Sequence, residues 1–169
     1  GGFGIGGELG HVVSIPGGRD CGCGLKGCLE TYASGTALLQ AARDLAESSS
    51  PLGGGLRKLS SDTSALTGEL VYEAIMQDDP GAIGLISELG EYLGIAIGSF
   101  FVPVLDPELV VVGGGVSAVG ERLLEPMRAG YSKSVPAKGY RPELSIVKAQ
   151  FLNQAGLIGA ADLARQSFS

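Results

Sequence analysis

The only histidine of the chain and all three cysteines lie within 18 residues, at His11, Cys21, Cys23 and Cys28. One imidazole and three thiolates make a four-coordinate donor set, the kind that tetrahedral Zn²⁺ takes in structural sites. The intervening glycines allow the backbone to fold around a small ion, and Lys26 would offset part of the thiolate charge. Since four protein ligands leave no position for water, we expect a structural metal.

Two other interpretations of these residues stay open. The thiols and the imidazole could be ordinary side chains, or the zinc could be catalytic. An odd number of cysteines in so short a window argues against a disulfide framework. A redox pair is usually spaced C-x-x-C, whereas Cys21 and Cys23 are separated by one residue.

Two carboxylates flank the donor set. Glu8 precedes His11 by three residues, and Glu30 follows Cys28 by two. If a metal holds His11 and Cys28 together, the carboxylates are held close to one another and to a liganded imidazole. Such a corner can accept and donate hydrogen bonds to sugar hydroxyls. The alternative is that both carboxylates are solvated or cap helix ends.

A second candidate site is the segment LVVVGGGVSAVGERL, which begins at Leu109. It predicts a buried strand, a glycine turn at 113–115 and a helix from Ser117 to about Lys133. Such a turn exposes backbone N–H groups to an anionic or flat ligand. Neither the dinucleotide fingerprint nor the P-loop fits well, because the third glycine and the G-K-[ST] run are missing. An ordinary tight turn between strand and helix is the alternative.

The remaining pattern predicts the elements that position these groups. Helices are expected over about 35–47, 67–77, 80–102 and 154–166, and short strands over 12–15 and 144–147. Residues 48–62 are rich in Ser and Gly, which predicts a flexible surface loop. Gly90, Gly94 and Gly98 would form one helix face for close backbone packing. The alternation of strands and helices at the end indicates an α/β fold.

Composition limits the class of protein. The 169 residues suit one domain, or one large piece of a protein with two. A net charge of −6, from 18 acidic and 12 basic residues, makes a general nucleic-acid surface unexpected. The apolar stretch 83–105 contains Glu88 and Glu91, so we expect a buried helix rather than a membrane span. With no secretory signal in the sequence, we expect a cytoplasmic protein.

Three blocks of the chain resemble the ROK family (repressors, open reading frames and sugar kinases). The first consists of E-L-G-H at 8–11, C-G-C-G-L-K-G-C-L-E at 21–30 and S-G at 34–35. The others are V-V-G-G-G-V-S at 111–117, followed by L-L-E-P at 123–126, and A-G-L-I-G-A-A at 155–161. The resemblance covers essentially the whole chain. The later blocks are most similar to the glucokinase branch of high-GC Gram-positive bacteria.

The resemblance implies an α/β fold of the actin-like (ribonuclease H-like) sugar kinase type, with 1–169 as the C-terminal lobe and a zinc-binding loop. It implies Mg²⁺-dependent phosphate transfer from ATP to a hexose, glucose to glucose 6-phosphate, by a homodimer. Carried over by motif, the sugar-binding positions are Glu8, His11 and Glu30. The matching zinc ligands are His11, Cys21, Cys23 and Cys28. The turn beside the adenosine is Gly113, Gly114, Gly115 and Val116.

Two elements of the family are absent from the sequence. These are the D-x-G-G-T phosphate loop and the N-D segment with the general-base Asp, so no catalytic residue is assigned here and the base is expected upstream. We therefore expect the isolated chain to be inactive. A sugar-responsive repressor of the same family and a zinc-stabilised interaction module are the competing interpretations. The motifs fix neither the hexose nor ATP over polyphosphate as donor.

Overall fold

A computed structural model of the chain describes residues 2–60, 62–151 and 154–167. These residues form seven α-helices and two parallel β-strands. The helices are α1 Gly35–Glu47, α2 Gly54–Leu59, α3 Gly68–Met76, α4 Pro80–Ala96, α5 Val102–Leu105, α6 Glu121–Ser134 and α7 Ala155–Ser167. The strands are β1 Leu109–Val112 and β2 Ser145–Lys148. Short 3₁₀ turns lie at Leu9–His11, Leu29–Thr31, Pro51–Gly53, Thr63–Ala65 and Gly115–Val119.

Side-chain caps define the starts of three helices. The Ser34 and Thr67 hydroxyls and the Asp79 carboxylate each accept a backbone N–H from the first turn of α1, α3 and α4 respectively. In α4 the proline at the first helical position adds to the cap, because its missing N–H needs no partner there. The predicted starts of these helices are confirmed.

The centre of the molecule is the contact between α4 and α6. A Cβ on Gly90 would lie 2.7 Å from the carbonyl oxygen of Leu123, and on Gly94 or Gly98 it would overlap the backbone or side chain of α6. The absence of side chains therefore lets the two helix backbones touch. The predicted glycine face on this helix is confirmed.

The sequence predicts that the long apolar helix ends before Pro103, and this is wrong. Residues Ile97–Phe101 form a π-helical turn that leads into α5, so the rod extends from Pro80 to Leu105. The wider turn accommodates the proline ring, which in a regular helix clashes with the carbonyl four residues earlier. By length and composition alone this rod could cross a membrane, but 44% of its most apolar window is buried against the rest of the structure.

The strands pair in parallel, with Leu109 opposite Ser145 and Val112 opposite Lys148, and α6 connects them. The apolar run of β1 predicts a strand buried on both faces, and this is wrong for one face. Leu109 is 50% exposed and Val111 55% exposed, whereas Val110 and Val112 pack on the core. In the described part of the chain β1 has a single neighbouring strand.

The flexible surface loop predicted for 48–62 is also wrong over most of its length. Residues 51–59 form a 3₁₀ turn and α2, and the Leu56 side chain is fully buried in the core. Arg57 donates hydrogen bonds to the carbonyl oxygens of Ala46, Ser48 and Ser50, which tie the segment to the end of α1. Residue 61 lies outside the described residues.

Two further predicted elements differ in detail. The helix expected from Ser117 is divided at Gly120, whose φ of +66° ends the 3₁₀ turn before α6 begins. The strand expected near residues 12–15 is reduced to one antiparallel bridge, between Val13 and Cys28. That bridge brings the first and last parts of the cysteine segment together.

Candidate functional site

The four candidate metal ligands are brought together as the sequence predicts. His11 ends the first 3₁₀ turn, and the cysteines lie on a tight loop closed by bridges between Val13 and Cys28 and between Asp20 and Lys26. The one ligand atom that each residue offers lies within 4.8 Å of the other three. The shortest separations are 3.5 Å from Cys21 Sγ to His11 Nδ1 and 3.6 Å between the Cys23 and Cys28 sulfurs.

The loop is this compact because of one glycine. Gly27 has a φ of +82°, and a Cβ there would overlap the carbonyl group of Ile15. That carbonyl accepts a hydrogen bond from the Gly18 N–H, and the Gly27 carbonyl accepts from the Ser14 and Ile15 N–H groups. The backbone at Gly27 therefore sets the position of Cys28, the adjacent ligand.

The three thiols have different electrostatic environments. The backbone N–H of Cys23 lowers the pKa of Cys21, but a hydrogen bond to Glu30, burial and the neighbouring thiols outweigh it and raise that pKa to about 12. Burial, followed by the adjacent Cys23, raises the pKa of Cys28. The backbone N–H of Leu25 is the main cause that lowers the pKa of Cys23. A cation beside the cluster would lower the pKa of all three thiols and favour their thiolate forms.

One of the two predicted carboxylates lies directly against this cluster. Glu30 Oε1 is 3.1 Å from Cys21 Sγ and 3.6 Å from His11 Nδ1, and the side chains of Glu30 and His11 are both partly exposed. A Cβ on Gly10 would be 3.5 Å from the Glu30 Cβ, so the two 3₁₀ turns pack closely. The structure therefore brings His11 and Glu30 together at one surface.

Glu8 precedes the same 3₁₀ turn as His11, but its side chain is exposed. Within the described residues this carboxylate makes no hydrogen bond or ion pair that would hold it against Glu30. His11 and Glu30 lie together, and Glu8 is exposed to solvent near them on the same segment as His11. This arrangement can accept several hydrogen bonds from hydroxyl groups, and the imidazole can donate one.

The glycine turn at 113–116 connects β1 to the 3₁₀ turn ahead of α6. Gly114 has a φ of +82°, and its carbonyl oxygen accepts from the hydroxyl (2.7 Å) and the backbone N–H (3.1 Å) of the buried Ser117. The three glycines are exposed. Val116 lies against the N-terminus of α1, where a Cβ on Gly35 would be 3.4 Å from its Cγ2.

The turn opens onto a trough of about 1270 Å³. The trough is bordered by the first residues of α1 and α3 and floored by core residues such as Val71, Leu89 and Met127. All four residues of β1 line it, although successive residues of a strand point to opposite faces. The trough therefore runs along the free edge of β1, and the glycine turn lies at one end of it.

Sequence reasoning misses several residues that contribute to these sites. The first turn of α3, with Gly68, Glu69 and Tyr72, borders the trough. Tyr32 lies beside the cysteine loop, and its hydroxyl accepts the backbone N–H of Arg19 at 2.7 Å. Nothing in the local sequence marks Tyr32 as part of the loop or α3 as part of the trough, because both contacts join segments that are distant along the chain.

The comparisons with known proteins agree with these features. Residues 1–167 match the family model described as the ROK family. The chain belongs to the ROK family. It is 36% identical over 165 residues to a glucokinase of Streptomyces coelicolor, covering 97% of this chain and 52% of that protein. It spans about half the length of the curated relatives it matches.

A solved structure resembles the chain closely. It is a ROK family glucokinase from Streptomyces griseus in complex with glucose and AMPPNP, 38% identical with a TM-score of 0.85, covering 94% of this chain and 51% of that one. A transcription factor is also among the relatives. The DNA-binding transcriptional repressor Mlc of Escherichia coli is 29% identical over 155 residues, covering 91% of this chain and 36% of that protein. The chain therefore has the fold of one half of a ROK sugar kinase.

Proposed function

We propose that the complete gene product is an ATP-dependent hexose kinase that converts glucose to glucose 6-phosphate, and that this chain is its C-terminal lobe. The observation that carries the proposal is the closeness of His11 and Glu30 beside the four-ligand cluster. The sequence identity of the chain to two Streptomyces glucokinases supports the same conclusion, and the crystal structure of one of them contains glucose and AMPPNP. The ROK repressors remain the second candidate because Mlc is also a relative.

Within this proposal, His11, Cys21, Cys23 and Cys28 hold a structural zinc ion. Their ligand atoms are close enough to surround one small cation, and the mixture of sulfur and nitrogen donors suits Zn²⁺. When bound, zinc would supply the positive charge that lets all three thiols ionise. The residues around it fix the imidazole of His11 and the turn that carries Glu30, so the site serves sugar binding rather than the chemical step.

The sugar side of the proposed reaction belongs to Glu8, His11 and Glu30. The two carboxylates accept hydrogen bonds from the sugar hydroxyls, and the imidazole nitrogen not directed at the cluster donates or accepts one more hydrogen bond. Charge-assisted bonds of this kind orient the hexose so that its O6 faces the phosphate donor. Glu8 is expected to order when the sugar is bound, because its side chain is exposed and makes no ion pair with any of the residues described in the structure.

The nucleotide side belongs to Gly113, Gly114, Gly115 and Val116. This exposed turn lets the adenosine of ATP approach the backbone at the end of the trough, with Mg²⁺ on the phosphates. In the transfer, the γ-phosphorus bonds to the sugar O6 as its bond to the β-phosphate oxygen breaks, and the hydroxyl proton goes to a general-base Asp expected outside this chain. The 169 residues alone should therefore not turn over.

The decisive test is a coupled phosphotransfer assay on the complete gene product with ATP and glucose, mannose, fructose or N-acetylmannosamine. We expect turnover with glucose, and we expect E8Q and E30Q each to raise the KM for glucose by about tenfold or more. The KM for ATP should not change. The control D20N removes only an exposed ion pair of the same loop, with Lys26, and should behave as wild type.

Failure of every hexose, from folded and zinc-loaded protein, would contradict the kinase proposal. Binding of operator DNA that responds to sugar would then favour the repressor.

We also propose a cytoplasmic homodimer. A reducing compartment keeps the three thiols free to bind metal, and sedimentation of the complete product would test the dimer.

A further inference from the structure

Tyr32 connects the cysteine loop to the turn that carries Glu30. It follows the 3₁₀ turn Leu29–Thr31, and its hydroxyl oxygen accepts the backbone N–H of Arg19 at 2.7 Å. The carbonyl of Arg19 in turn accepts the N–H of Gly27 at 2.7 Å, next to Cys28. The phenol hydroxyl thus holds the backbone at Arg19, which in turn holds the backbone at Gly27 on the other side of the loop.

The side chain of Arg19 also contacts the turn that carries Glu30. The Arg19 guanidinium donates to the Thr31 carbonyl oxygen at 2.8 Å and lies 4.6 Å from the centroid of the Tyr32 ring. A cation over an aromatic face is attracted to it. The loop and the turn are therefore joined by two hydrogen bonds and one stacking contact.

The local sequence leaves room for the hydroxyl. A Cβ on Gly18 would overlap the Tyr32 hydroxyl oxygen and lie 2.9 Å from the carbonyl oxygen of Ile15. Gly18 has no positive φ, so its lack of a side chain is required by this approach and not by the backbone conformation.

The ring of Tyr32 reaches the helical body on its other side. It packs on the ring of Tyr92 of α4, with centroids 5.3 Å apart and planes tilted by 45°. Burial, and then the neighbouring carboxylate of Glu88, raises the pKa of Tyr92. Since α4 is the central helix of the core, the ring pair joins the loop to the core of the molecule.

We infer that Tyr32 is a positioning residue, which holds the cysteine loop and the Glu30 turn in a fixed relation to each other and to α4. Its hydrogen bond and ring contacts in the described part of the chain are with Arg19 and Tyr92, not with a ligand of the cluster or with a proposed sugar-binding residue. It acts through Arg19 on the loop and through the backbone of its own turn on Glu30. The consequence for sugar binding rests on the proposed function, whereas the consequence for the loop does not.

The test compares Y32F with Y92F in the complete gene product. Both variants keep the ring pair, but only Y32F removes the acceptor for the Arg19 N–H. We expect amide hydrogen exchange at residues 19–28 to accelerate about two- to tenfold in Y32F, because one hydrogen bond is lost. Exchange in the α6 amides should not change, and Y92F should leave the loop at its wild-type rates. Equal loop exchange in Y32F and wild type would overturn the inference.

Kinetics supply the second readout. Y32F should raise the KM for glucose about two- to tenfold, because the position of Glu30 becomes less fixed. The KM for ATP should stay unchanged, because the substitution does not affect the nucleotide side. A loss of general stability would instead lower activity with both substrates and accelerate exchange throughout. If wild-type protein phosphorylates no hexose, the proposed function fails while the exchange result still decides the role of Tyr32. If glucose is phosphorylated and Y32F has an unchanged KM for it, sugar positioning by Tyr32 is refuted.

Discussion

Cys23 is the exposed member of the four-ligand cluster, and its thiol is the one whose pKa is lowered. Replacing it with serine removes one soft ligand without opening a cavity in the core. We expect C23S to lower bound zinc well below one ion per chain and to lower the melting temperature by roughly 5–10 °C, because metal affinity contributes directly to stability. Metal analysis and thermal unfolding without added chelator measure both.

The control for C23S is again D20N, which changes the same loop but not the ligands. Its zinc content and melting temperature should match those of wild type. Wild-type protein with reduced thiols and no bound zinc would refute the metal site itself, and with it the reason for Cys23 to matter.

At the residue scale, types and spacing predicted most of the candidate site. His11, Cys21, Cys23 and Cys28 could be grouped because one imidazole and three thiols in a short window have few other uses. Glu30 could be placed beside them because it lies two residues from a ligand. The role of Tyr32 could not be predicted. Its hydroxyl approaches the backbone at Gly18, and the two come together only once the loop has folded.

At the element scale, the contact of α4 with α6 makes a prediction about two glycines of one helix. A methyl group at Gly94 would overlap the carbonyl of Met127 and lie 2.7 Å from the Tyr131 nitrogen, whereas at Gly84 it would meet nothing within 4 Å. We expect G94A to reduce the free energy of unfolding by about 1–3 kcal/mol. G84A should increase it by up to about 1 kcal/mol, because alanine favours the helix.

Chemical denaturation of both variants measures the difference. The two substitutions have the same intrinsic helix propensity, so the contrast isolates the packing of the helices. If G94A were as stable as G84A, the backbones of α4 and α6 could not be in direct contact.

A second element-scale prediction concerns α2, in the segment that composition marked as a loop. Leu56 is fully buried and Leu52, a few residues earlier, is 53% exposed. We expect L56A to destabilise the fold by about 2–5 kcal/mol, since it leaves a cavity in the core. L52A should cost less than about 1 kcal/mol. If both variants lowered the free energy of unfolding only slightly, this segment would instead be a flexible surface loop.

The loop prediction failed because composition reports only local preference. The glycines of this region serve close packing: a Cβ on Gly53 would overlap the Leu45 carbonyl oxygen, and one on Gly55 would overlap the Asp79 carboxylate. Arg57 satisfies carbonyl groups at the end of α1. Partners eight or more residues away in the chain are invisible to a window that counts Ser and Gly. The helices with strong caps were predicted well, because their signals are local.

At the scale of the whole molecule, the apolar surface is distributed unevenly. The core around α4 and α6 is closed, whereas one face of β1 and the trough along its edge are open. No described residue of α7 is buried, and Leu157 is 75% exposed. The apolar side chains of this last helix are therefore exposed in the chain alone. The extent of the trough could not be predicted, because it depends on how β1 lies relative to α1 and α3.

These open surfaces predict that the 169-residue chain associates with itself. Contiguous exposed apolar surface is removed from water most simply by contact with another copy. We expect sedimentation to show oligomers that grow with concentration, together with binding of an apolar fluorescent dye. Replacing both Leu157 and Leu163 with lysine should reduce association. Replacing Gln154 and Ser167 with lysine adds the same charge without removing apolar surface, and should reduce it less. A chain that stays monomeric at all concentrations and binds no dye would show that α7 and the trough are covered by some rearrangement of the chain itself.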